Sequence, residues 1–127
     1  MARIVAVCVG DVKGGPKRRV GQAQLVKNFG LSGDADSGAL GRQVSLLSTG
    51  LKMAPVGEEQ PPGSKGENLA VSGLDLASIK PGTTLRCGDA LLEFVGPIEG
   101  TSLYQAKVRL AGIVTEGDQL VIEHVPA

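Results

Sequence analysis

Gly30-Leu-Ser-Gly-Asp34-Ala-Asp36-Ser-Gly-Ala-Leu-Gly41-Arg42-Gln43-Val44-Ser45-Leu-Leu47 runs from a glycine-rich polar loop straight into a strand-like segment. Gly30, Gly33, Gly38 and Gly41 let the backbone reach positive φ and approach a ligand closely. Asp34, Asp36, Arg42, Gln43 and Ser45 put acceptors and donors on a short arc of chain. Val44, Leu46 and Leu47 anchor its far end in a core. Binding residues concentrate on loops held by rigid strands, and this loop has that form. It reads equally as a glycine turn with a solvated Asp pair.

Outside this stretch, composition narrows the choices. The chain of 127 residues suits one domain, residues 1–127, with enough length to bury a core. Its 13 Lys+Arg balance 13 Asp+Glu, so no global field points to nucleic acid or to an acidic partner. Two Phe, one Tyr and no Trp leave no aromatic platform for base stacking. The core must be Val, Leu, Ile and Ala. Broken by 19 glycines and seven prolines, that mixture predicts a mainly β fold. Cys8 and Cys87 cannot make a disulfide scaffold or a four-ligand zinc site. A reduced, cytoplasmic setting is the expectation, with one disulfide left open. The apolar run 4–9 is too short for a signal peptide, and no run is long enough to span a membrane.

Residues 3–9 form a β-branched run, which predicts a buried strand with Cys8 as a small core residue. In 10–19, Lys13, Lys17, Arg18 and Arg19 flank Gly14-Gly15-Pro16. That pattern reads as an oxyanion-binding nest or as a solvated basic hairpin tip. Residues 20–26 predict a second strand, with Ala23 and Leu25 on one face, and 43–47 a third. Residues 48–65, rich in Pro and Gly, leave little room for a helix; 50–65 is expected to be an irregular, mobile loop. Glu67 and Asn68 then precede the apolar Leu69-Ala-Val71, where Asn68 braces a turn or faces the same pocket as Asp34 and Arg42.

Residues 74–79 predict a short helical turn, with Asp75 near its start. Two strands are expected within 83–95 around Cys87-Gly88-Asp89, with Leu91, Leu92, Phe94 and Val95 as core candidates. Cys87 borders that turn, where exposure beside Arg86 would lower its pKa. Gly96-Pro97 is expected to break the strand. Further short strands follow at 104–108, 112–114 and 120–122, with Gly117-Asp118 as the last turn. His124, the one histidine, lies near the end of the chain and is poor support for catalysis.

Taken together, these segments resemble a MOSC domain, the molybdenum cofactor sulfurase C-terminal domain, in its small stand-alone bacterial form. The likeness runs through the strand at 4–9, the basic loop at 13–20, Gly30-Leu-Ser-Gly-Asp34-Ala, Arg42-Gln43-Val44-Ser45-Leu-Leu47, Gly66-Glu67-Asn68-Leu69, Gly73-Leu-Asp75-Leu76, Pro81-Gly82-Thr-Thr-Leu85 and Gly88-Asp89-Ala-Leu-Leu-Glu93. The resemblance implies a MOSC-type β-barrel with short helical turns and a pocket associated with the pterin molybdenum (or tungsten) cofactor. It also implies a partner in cofactor biosynthesis or a molybdoenzyme. A cysteine desulfurase is a further partner, and pyridoxal phosphate would belong to that separate protein. On this basis Arg42 would pair with phosphate or oxometal oxygens. Lys17 and Arg18 would hold the terminal phosphate. Gln43, Ser45 and Asn68 would supply neutral hydrogen bonds, while Asp34 or Glu67 would orient Arg42.

Three positions depart from the family pattern. The sulfur-carrying cysteine is expected shortly after 91–95, where this chain reads Gly96-Pro-Ile-Glu-Gly-Thr101-Ser102. Either Thr101 replaces it or the loop is deleted, and threonine cannot carry a persulfide. Asp36 stands where the family often has histidine, so a charge enters that Arg42 would have to neutralise. The helix usual after Leu47 gives way to the Pro/Gly stretch. Three expectations follow: a cofactor carrier or accessory factor, a sulfurtransferase using Cys87, or an interaction module whose pocket has decayed.

Overall fold

The structure, a computed structural model, describes residues 2–13, 15–38, 43–49, 63 and 65–126. It is mainly β. The strands are β1 (Arg3–Val9), β2 (Arg18–Arg19), β3 (Gln22–Val26), β4 (Gly30–Leu31), β5 (Val44–Ser48), β6 (Leu69–Ser72), β7 (Thr84–Cys87), β8 (Ala90–Pro97), β9 (Tyr104–Leu110), β10 (Gly112–Thr115) and β11 (Leu120–His124). Among the described residues the helical element is one 3-10 turn, Leu76–Ser78. Its start is fixed by Asp75, whose Oδ1 accepts from Ala77 N–H at 3.1 Å.

Eight strands form a curled sheet in the order β11-β7-β8-β9-β5-β6-β1-β2, and β10-β3-β4 form a second sheet. Strand pairs are antiparallel except β5 with β6, which run parallel with Leu46 opposite Leu69. A parallel pair needs a long crossover, and the stretch 49–68 provides it. That geometry brings the end of the glycine loop beside Glu67 and Asn68.

The core lies on the inner faces. Strand β8 shows why: Ala90, Leu92 and Phe94 are buried, while Leu91, Glu93 and Val95 between them are half-buried. This is the two-residue period of a strand with one face inward. Leu91 and Val95 were expected in the core; the alternation turns them outward. Gly96-Pro97 does not end the strand as expected. A register shift between Phe94 and Gly96 absorbs the irregularity, and pairing continues to Pro97 opposite Tyr104. Strand β1 is buried on both faces beyond a similar shift between Ile4 and Ala6. Val7 and Val9 join the main core, whereas Ala6 and Cys8 pack with Ala70 in a separate small cluster.

The connection expected to be mobile, 50–65, lies outside the described residues except Gly63 and Lys65. No helix among the described residues is long and apolar enough to cross a membrane.

Candidate functional site

The hairpin between β1 and β2 places Lys17 against the glycine loop. Arg19 lies opposite Cys8 and Arg18 opposite Val9, so the chain just before β2 turns in beside Gly10. Lys17 N–H donates to the Gly63 carbonyl at 2.9 Å, and a Cβ on Gly63, at φ +90°, would collide with the Lys17 carbonyl. The Lys17 side chain is buried, with 1% of it exposed. Its Nζ lies 2.8 Å from Asp34 Oδ1 and 2.8 Å from Asp36 Oδ2. Asp34 also accepts from Gly10 N–H at 2.8 Å. The basic loop is therefore not a solvated tip at this residue. Two of the three ammonium protons are committed to carboxylates within the protein.

Ser37 closes the loop. Its Oγ accepts from Leu31 N–H at 3.0 Å and lies 3.0 Å from the Gln43 carbonyl and 3.2 Å from Asp34 Oδ2. Gly30, at φ +126°, has no room for a Cβ, which would collide with that same Gln43 carbonyl. The two arms, Gly30–Leu31 with its following turn and Gln43 with β5, are thus tied to one another. Arg42, the key residue of the sequence-based site, falls outside the described residues.

A second network joins β5, β6 and β1. Asn68 Oδ1 accepts from Ser45 N–H at 2.9 Å, and Asn68 Nδ2 donates to the Cys8 carbonyl at 3.1 Å. Ser45 Oγ accepts from Asn68 N–H at 2.9 Å and donates to the Gly66 carbonyl at 2.9 Å. Asn68 therefore braces the turn, one of its two sequence-based readings, and Ser45 is its counterpart. Gln43 Oε1 accepts from Val108 N–H at 2.9 Å, which ties the site to β9. Glu67, buried with 3% exposure, accepts from Lys65 N–H at 3.1 Å. Together the described charges comprise one ammonium, Lys17, and three carboxylates: Asp34, Asp36 and Glu67.

Arg18 does not join this cluster. It pairs with Asp11 at 3.2 Å on the surface, and that hydrogen bond holds the Asp11 carboxyl below its ordinary value. Cys87 is not exposed at a turn as expected. It faces the core opposite Ala90 and Leu120, and burial first, then Asp118, pushes its thiol up to about 12. Arg86 pairs with Glu123 at 3.1 Å. Cys8 is also free and buried, its thiol pushed up to about 11 by burial, then by Glu67 and Glu116. Thr101 sits in the tight β8–β9 connection, where its Oγ1 donates to the Ile98 carbonyl at 2.8 Å and accepts from Leu103 N–H at 3.0 Å. The sequence reading missed that Asp36 meets Lys17 and that Ser37 bridges the loop arms. Partners 19 and 6 residues apart leave no periodic signal to find them by.

No protein-family model matches the chain, and no curated protein matches it significantly. Solved structures do. YuaD from Bacillus subtilis superposes with a TM-score of 0.72 at 18% identity, over 94% of this chain and 93% of that one. YiiM from Geobacillus stearothermophilus gives 0.74 at 18% identity, over 98% of this chain and 76% of its own. YiiM from Escherichia coli gives 0.68 at 20% identity, over 100% of this chain and 72% of its own. At such identities the likeness shows the shared fold.

Proposed function

We propose that this chain is a small MOSC-type protein that binds a pterin molybdenum or tungsten cofactor, or a related oxyanion, as a carrier or accessory factor in cofactor maturation. One observation carries this reading: the glycine loop is held at both ends before any ligand arrives. Lys17 clamps Asp34 and Asp36, Ser37 bridges to Gln43, and Asn68 fixes Ser45. Arg42, which the sequence places in this loop, would pair with phosphate or oxometal oxygens through its guanidinium fork. The fold likeness over nearly the whole chain fits the motif resemblance.

Lys17 enters this account as a positioning residue, because its charge is already met by carboxylates. The carrier role is favoured over sulfur transfer. A persulfide carrier needs an accessible thiolate, whereas Cys8 and Cys87 are buried with raised pKa values and Thr101 is held inside its turn. A cofactor-biosynthesis protein or molybdoenzyme would receive the cargo, and a cysteine desulfurase would act on it elsewhere.

Arg42→Ala tests the site. Titration calorimetry with molybdate, tungstate and a pterin should lose its signal while the melting temperature stays near wild type. Binding that survives the substitution removes Arg42 from the site, and collapse of the fold makes it structural. A second reading, an interaction module, is favoured by the internal engagement of Lys17, Ser45 and Asn68. It predicts that the wild type binds none of these ligands.

A further inference from the structure

We draw no further inference here: the strongest candidate, the exposed apolar edge of β11 with Val121, Ile122 and the following Val125, is interrupted by a register shift between Ile122 and His124, and nothing in the structure shows what covers it.

Discussion

Replacing Lys17 by methionine keeps the length of the side chain and removes its charge from a site where 1% of it is exposed. At 2.8 Å and an effective dielectric of about 20, each contact to Asp34 or Asp36 is worth about 6 kcal/mol before desolvation. Withdrawing the three groups from water offsets most of that attraction. The measurable quantity is the penalty for leaving Asp34 buried without the ammonium, about 3–5 kcal/mol. Gly10 N–H and the Ser37 hydroxyl still reach Asp34, which places the expected loss toward the lower end. For a chain of this size that corresponds to a fall in Tm of about 10–20 °C. Urea denaturation should show a shifted midpoint with little change in slope. Lys17→Met with Asp34→Asn should recover part of the loss, because the pair is then removed together. A loss below about 1 kcal/mol, the scale of exposed ion pairs, would refute the buried clamp.

The two thiols should be slow toward an aromatic disulfide reagent at about pH 8 in the native state and fast in denaturant. Both native pKa values lie above the ordinary 9.0, so stability held by the neutral thiols should decline from about 9 toward about 12, the direction of proton release. Native labelling of Cys87 at the denatured rate would contradict its burial. Asn68→Ala removes the brace between Ser45 and Cys8, and the buried groups left without partners should cost about 2–4 kcal/mol in urea unfolding. An unchanged midpoint would show that the network is dispensable.

Much of the fold was legible because its signals are local. β-branched runs and glycine turns placed β1, β3, β5, β7 and β11 within one or two residues of their observed ends. Asp75 announced the 3-10 turn. Alternation decided burial along β8, and reading 91–95 as one apolar run obscured it. The two-residue strands β2 and β4 carry no pattern of their own and exist because β1 and β3 pair with them. Of the candidate residues the structure joins Lys17 to Asp34 and Ser45 to Asn68, while Arg18 and Cys87 stand apart, and none of these bonds was legible in the sequence. Lys17 and Asp34 were both picked out, yet their pairing depends on the β1–β2 hairpin meeting the glycine loop, 17 residues apart in sequence. Cys87 misled because a residue bordering an exposed turn can still point inward: Gly88 and Asp89 are exposed, whereas Cys87 is buried. Its strand pairs with β11 and β8, where Cys87 stands opposite Leu120 and Ala90 and faces the core.

The central claim concerns cargo, and the most direct measurement is made on protein purified without oxygen from a host that makes the pterin molybdenum cofactor. Oxidation of the sample should release fluorescent pterin in an amount matching the chain, with molybdenum or tungsten in the same proportion. Folded protein that yields neither pterin nor metal would contradict the carrier account and leave the interaction module in its place.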